Sequence, residues 1–576
     1  MAARLTTFVV VAIVAATLIA GLIVGAQRDD NEGPVDVIIH NAVVYTADDD
    51  HSTAEAVAIR GNQILRVGSE RDVMRLRRPQ TTMIDADGGS VLPGFNDSHV
   101  HFIKGGIDLE RIDLSEAVTL AEVQQRVRSW AEENPEEPWV IGRGWYFQAF
   151  ADKLPTRQQL DAIVRDRPVQ LLSADGHTSW VNSAALKRAG ITRQTPNPED
   201  GSIVRDPRTG EPTGVLKEAA VELVARVVPP PTREQQARGL RSAITEAHRN
   251  GITSVQNAGG TTDEFALYAD ARRAGDLDIR VYSALSVDGP ISEPELARLD
   301  AVGKEYPDDP LFKTGGVKII LDGVIESHTA AMLEPYAGEQ VVGEPRIGAD
   351  DLNRSVRLLD SRGWQVMTHA VGDRAVRMAL DAYTHAVRSN PKPKRERRHR
   401  IEHAEIVDTV DFPRFGRLGI IASMQPSHGS PDSHLDLWSR SVGPERASGG
   451  WPYRQILESD GRLAFGSDWP VDSLNPMLGL HSAVTRTTPE GEPEGGWFPA
   501  QRLALTAAVD AYTSGAAWAS FDEQRKGTIA PGMLADLVVL TSDIFTAPPS
   551  RLATTSVAAT IFDGRVVYKR SDRGTN

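Results

Sequence analysis

Residues 91–102 read VLPGFNDSHVHF. An apolar run breaks at Pro93-Gly94, resumes, and stops on two histidines one residue apart. Side chains at i and i+2 of a strand share a face, so His99 and His101 project together from the strand's C-terminal end. Such a pair is either a surface feature or the beginning of a site, and the rest of the chain decides between them.

Downstream, seven further apolar segments alternate with helical ones: GITSVQNAG (251–259), IRVYSALSV (279–287), GGVKIILDG (315–323), GWQVMTHAVGD (363–373), RHRIEHAE (398–405), LGIIASMQPS (418–427) and GRLAFGSDWP (461–470). Strands alternating with helices predict a parallel sheet. With the opening stretch they number eight, the count that closes a (β/α)8 TIM-type barrel, in which reactive groups sit at strand C-termini. The fold class expected is therefore α/β.

The flanks read differently. VDVIIHNAVVYTA, EAVAIRGNQILRVG and TTMIDADGGSVLP near the start, and GTIAPGMLADLVVLTSD (527–543) and SVAATIFDGRVVYKR (556–570) near the end, are β-rich and broken by turn signals. They predict one composite β-sandwich built from both chain ends. Residues 104–235 hold too much helix, strand and turn for one crossover and predict an inserted subdomain. The division is 1–33 leader and linker, 34–92 first sandwich part, 93–523 barrel, and 524–571 second sandwich part.

Before the first strand, Arg4 precedes TTFVVVAIVAATLIAGLIVGA (6–26), an uncharged apolar run long enough to span a bilayer. Acidic residues follow it, so the run predicts a transmembrane signal anchor, or a signal peptide cleaved near Val24-Gly25-Ala26, with the body outside the cytoplasm. The protein would then be membrane-anchored if the run is uncleaved, and secreted or periplasmic otherwise.

The chain has 576 residues, 40% hydrophobic and 24% charged, as folded multidomain proteins do. A formal net charge of -15 argues against a nucleic-acid partner, and the basic cluster KPKRERRHR (392–400) reads as a solvated loop or helix end. With no cysteine in the sequence, disulfides, thiolate metal sites and a cysteine nucleophile are excluded. A small-molecule substrate is the partner expected, and a homo-oligomer is left open.

The histidine pair gains weight from its company. His369 ends GWQVMTHA, His403 ends RHRIEHA and Asp468 ends GRLAFGSD, each where a core would take Val or Leu. Buried ionisable groups are costly unless paired or metal-bound. Four histidines and an aspartate at strand C-termini predict a metal site, and imidazole with carboxylate suits Zn²⁺ or a similar transition metal, one or two ions per chain. Lys318 lies mid-strand in VKIILDG, where burial favours its neutral, nucleophilic form. Asp322 shares its strand face. Softer candidates for substrate contact are His177 in the insertion (SADGHTSWVN), Trp145 (GRGWYF), Trp469 (SDWP) and His428 (PSHGS).

The ordered set PGFNDSHVHF, VKIILDG, THAVGD, IEHAE and GSDWP resembles the amidohydrolase superfamily. More closely it is similar to amidohydrolase family 3, the YtcJ-like branch that includes N-substituted formamide deformylases, over about residues 35–570. The resemblance implies that His99, His101 and Asp468 bind one metal. It also implies that a carboxylated Lys318 bridges to a second metal held by His369 and His403, with Asp468 as proton shuttle. The implied reaction is hydrolysis of a non-peptide C–N bond in an amide, formamide or cyclic amide. Alternatives on the same ligands are deamination or lactone and ester hydrolysis. An inactive membrane-tethered binding protein is the reading from another class. The chain departs from the family pattern at ESHTAA, where His328 stands in place of an expected Arg.

Overall fold

The computed structural model describes residues 34–571 apart from 151–153, 175, 200 and 432. Each of the eight segments above overlaps one strand of a parallel sheet: β1 (Phe95–Val100), β2 (Ile252–Gly260), β3 (Arg280–Val287), β4 (Phe312–Ile320, starting three residues before the expected segment), β5 (Gln365–Ala370), β6 (Arg400–His403), β7 (Ile421–Met424) and β8 (Arg462–Phe465). They lie side by side in chain order from β1 to β8. Their near-continuous burial explains their near-continuous apolar sequence, since parallel strands are covered on both faces. Helices between them begin at side-chain caps that the sequence supplies, such as the capping box of Thr232 and Gln235 on helix Arg233–Arg249.

The sheet curls until its first and last strands meet just beyond β8. The Asp468 N–H donates to the His99 carbonyl at 2.7 Å, and the His101 N–H donates to the Trp469 carbonyl at 2.8 Å. Asp97 stitches the same seam, one carboxylate oxygen accepting from the N–H groups of His99 (3.1 Å) and Ser467 (3.0 Å). Gly466 permits this approach, because a Cβ there would stand 2.5 Å from the His99 nitrogen.

The two chain ends form a sandwich. One sheet joins Val37–His40 to Ala56–Arg60, Gln63–Gly68 and Thr82–Asp85; the other places Ser90–Pro93 between Val43–Tyr45 and the C-terminal strand Leu537–Leu540. Their shared core mixes Ile39, Val57 and Val91 with Leu537, Val539 and Ile561. The insertion carries its own six-stranded sheet between Ile112–Asp113 and Pro212–Glu218. Helix Phe102–Leu109, just after β1, packs on helix Arg233–Arg249, and Gly106 allows the contact because a Cβ there would stand 1.9 Å from the Gly239 carbonyl oxygen.

The basic cluster 392–400 is a solvated loop over its first part, with Lys392, Lys394 and Arg395 exposed, and turns inward from Arg397. Arg397 pairs with Asp360 at 2.7 Å, Arg398 with Glu523 at 2.7 Å, and Arg400 is wholly buried against Glu402. A charge run is absorbed this way when acids distant in sequence reach it. The apolar run 6–26 lies outside the described residues. Among those described, no helix is long and apolar enough to cross a membrane.

Candidate metal centre

The strand ends converge on one cavity of about 680 Å³ at the C-terminal mouth of the barrel. His99 and His101 from β1, Lys318 from β4, His369 from β5, His403 from β6 and Asp468 after β8 all line it, and so does His428. Asp468 Oδ1 lies 3.2 Å from His101 Nε2 and 3.6 Å from His99 Nε2. Lys318 Nζ lies 3.3 Å from His99 Nε2. The His369 and His403 rings are 4.4 Å apart, and those of His99 and His403 4.9 Å.

Backbone geometry helps to aim these groups. Strand alternation would send Glu402 and His403 to opposite sides. His403 adopts φ 76°, ending β6 there, and both side chains stay buried. Asp468 likewise takes φ 57°. Left-handed φ values in non-glycine residues are strained and gather at functional sites.

The outer nitrogens are occupied. His99 Nδ1 lies 2.6 Å from Glu402 Oε2, and His403 Nδ1 lies 2.8 Å from Gln425 Oε1. Each of these oxygens accepts the Nδ1–H, which turns the Nε2 lone pair toward the cavity, the usual outer support of metal-ligating histidines. Asp322, fixed by N–H groups of Ala331, Val371 and Gly372 at 3.0–3.1 Å, stands 3.7 Å from His369 Nε2.

Burial, with the nearby Lys318, pushes the His99 imidazole down to about 4 and that of His369 to about 3. His403 is also driven well below its ordinary value by burial and its neighbouring histidines. Neutral imidazoles are what a cation needs. Burial lowers Lys318 to about 8, which raises its neutral fraction near physiological pH.

These groups fit a metal ion. Asp468 Oδ1 is buried and accepts no well-formed hydrogen bond, yet imidazole nitrogens surround it. Two overlapping sets, His99–His101–Asp468 and His403–His428–Asp468, each bring their ligand atoms within 4.8 Å of one another. His428 Nε2 is also buried without a partner.

The softer candidates separate. His428 is at the cavity. Trp145 is not: it is fully buried in the insertion core against Phe150 and Trp180, with its indole N–H donated to the Leu171 carbonyl at 3.0 Å. His177 lies exposed in the insertion, 2.9 Å from Glu218, and does not line the cavity. Trp469 packs against Phe102 and over Gly105 and faces a neighbouring groove between barrel and insertion. His328 turns from the cavity, stacking on Tyr336 and contacting Glu339 and Ser441. Sequence reading missed Glu402 and Gln425; the signal available was a carboxylate beside His403 on a strand flanked by apolar residues.

A barrel bearing neutral histidines and an aspartate at its strand ends defines a metal-dependent hydrolase architecture. The chain belongs to the amidohydrolase family, whose profile matches residues 82–568. It is 33% identical to Protein LONG AFTER FAR-RED 3 of Arabidopsis thaliana over 92% of this chain and 91% of that protein. It is 29% identical to the N-substituted formamide deformylase of Arthrobacter pascens over 93% and 99% respectively. Among solved structures, a metal-dependent hydrolase of Pyrococcus horikoshii superposes with a TM-score of 0.71 at 24% identity, covering 89% of this chain and 99% of that one.

Proposed function

We propose that this chain hydrolyses a non-peptide C–N bond in a small amide, formamide or cyclic amide, using one or two divalent metals, zinc being the natural candidate. The observation that carries this reading is Asp468 Oδ1, buried, without a good hydrogen bond and 3.2 Å from His101 Nε2. The identity with a formamide deformylase supports the choice of bond.

His99, His101, His369, His403 and Asp468 are the protein groups that would hold the metal, with Lys318, carboxylated on its nitrogen, as the further ligand. A divalent metal bound there supplies a water of pKa roughly 7 and polarises a carbonyl. Glu402 and Gln425 keep the histidine nitrogens aimed inward. Asp468 takes a proton from the attacking water and gives it to the leaving nitrogen, base first and acid second. Overall, water adds OH to the acyl carbon and H to the nitrogen as the C–N bond breaks.

The apolar run 6–26 supports placement of the body outside the cytoplasm, tethered by that run or released after its cleavage. Turnover of N-formyl and N-acyl amines by the metal-loaded protein, with release of carboxylate and amine, tests the reaction. Ammonia as the product would move the assignment to deamination. Activity surviving Asp468→Asn unchanged would remove the proton shuttle.

A further inference from the structure

Just after β7, the short helical turn Pro426–Gly429 carries His428 at the cavity wall. His428 Nε2 is buried and makes no hydrogen bond. The ligand atoms of His428, His403 and Asp468 lie within 4.8 Å of one another. The His428 and His403 rings run parallel, 9° apart in plane with centroids at 6.4 Å. Gln425 serves both histidines. Its side-chain oxygen lies 2.8 Å from His403 Nδ1, and its main-chain carbonyl accepts the His428 N–H at 3.2 Å. A buried nitrogen left bare in this way calls for a partner.

One helix end braces the turn from behind. Helix Pro476–Thr485 grips it through Ser482, whose hydroxyl donates to the Pro426 carbonyl at 2.6 Å. Arg486 caps the same helix and is fully buried. Its guanidinium donates to the carbonyls of Trp497 and Gly450, each at 3.1 Å, and lies 4.5 Å from the Trp497 ring centroid. Among the described residues no carboxylate pairs with it. Carbonyls, an aromatic face and the helix C-terminus hold this cation instead.

The grip on Gly450 fixes its neighbour. Trp451 is 2% exposed, borders the cavity and adopts φ 49°. A bulky residue in that region is an outlier and persists only where its surroundings over-determine it. Here the Trp451 N–H donates to the Glu405 carbonyl at 2.8 Å, and its indole packs 4.7 Å from Trp438 and 5.6 Å from Trp497. The indole lies directly against the His428 turn, since a Cβ on Gly429 would stand 3.1 Å from its ring.

Resting on the metal-centre reading above, we propose that His428 is a further protein ligand, sharing a divalent cation with His403 and Asp468. Trp451 and Arg486 are positioning residues that hold it there. Imidazole and carboxylate are donors that Zn²⁺ takes. Arg486 touches no cation; it acts through Gly450 and Trp451 on the turn that bears the ligand.

The probe is Zn²⁺ alone, titrated into the metal-free full chain against a chelator of known affinity. Substrate is absent, so the outcome is independent of which bond the protein cleaves. His428→Ala should weaken zinc binding by about tenfold or more. Arg486→Lys keeps the charge but loses the planar fork. It should weaken binding by about three- to tenfold and add nothing further in the His428→Ala background, because residues acting through one group are not additive. A purely structural Arg486 would lower the unfolding midpoint and leave zinc affinity alone. Trp451→Phe, which keeps an aromatic wall, reads the same coupling should Arg486→Lys fail to fold. Wild-type affinity in His428→Ala would overturn the ligand assignment, and additive losses in the double variant would overturn the positioning role. A wild-type chain that binds no zinc would overturn the metal centre itself, and this inference with it.

Discussion

Glu402 Oε2 lies 2.6 Å from His99 Nδ1, joining strands β6 and β1 across 303 positions of sequence inside the barrel. The same carboxylate receives Arg400 Nε at 2.8 Å, and Arg400 and Glu402 have no solvent exposure. One buried acid thus orients a histidine of the candidate metal centre and neutralises a buried cation. Glu402→Ala would strip both partners at once. Removing one member of a buried ion pair costs about 3–5 kcal/mol, so the unfolding midpoint should fall steeply. Glu402→Gln keeps the shape and should lose metal affinity by about 10–100-fold through misdirection of His99. Denaturant titration and a metal-competition assay measure the two effects. Unchanged affinity in the Gln variant would reduce Glu402 to a counter-ion for Arg400.

The barrel seam is sensitive to a single methyl group. A Cβ at Gly466 would come within 2.5 Å of the His99 backbone nitrogen and 2.7 Å of an Asp97 carboxylate oxygen. Backbone cannot yield as a side-chain tip can. Gly466→Ala should therefore displace His99 and Asp468 relative to each other and destabilise the fold by about 1–3 kcal/mol. Reduced metal retention after dialysis, compared with wild type, is the direct readout. Full retention would mean that the seam adapts without moving its ligands.

Trp145 serves the insertion core, so its loss should act on stability. Truncating a buried tryptophan costs about 3–5 kcal/mol. Trp145→Ala should lower the thermal midpoint while metal content per folded chain stays at the wild-type level. A fall in metal content with an unshifted midpoint would return Trp145 to the active site.

Asp360 sets part of the acid limit of stability. Burial would raise its carboxyl, but hydrogen bonds from His399, Arg397 and Asn390 outweigh burial and bring it from an ordinary 3.8 to about 2. Its folded-state pKa is depressed, so its contribution is fully present above about pH 4 and is lost as pH falls toward 2. The shift corresponds to about 2 kcal/mol. Asp360→Asn should be less stable by that amount at neutral pH and show a flatter acid limb in urea titrations between pH 4 and 2. Parallel curves for the two proteins would contradict the assignment.

The sequence made the barrel legible because the strands are apolar runs alternating with helical segments, and four of them end in a polar residue that a core would refuse. His99, His101, His369, His403 and Asp468 were visible for the same reason, and the strand period alone placed His99 beside His101. Glu402 was hidden because a carboxylate beside His403 reads as an exposed strand position until β1 is brought across from 303 residues away. Trp145 misled in the opposite direction. An aromatic in GRGWYF looks like a pocket wall, and only the packing of Phe150 and Trp180 around it makes it core. The run at 392–400 is a solvated loop at its start, as read, but the inward turn of Arg397 and Arg398 was hidden because their counter-charges, Asp360 and Glu523, lie on other elements.

Metal content of the purified full-length chain, measured by elemental mass spectrometry after expression with zinc and bicarbonate, tests the central claim most directly. The predicted result is one to two metals per folded wild-type chain. That number should fall in Lys318→Ala and fall further when Asp468 is replaced by Ala. Folded wild-type protein without metal, or the same metal content in all three chains, would contradict a centre built on these residues.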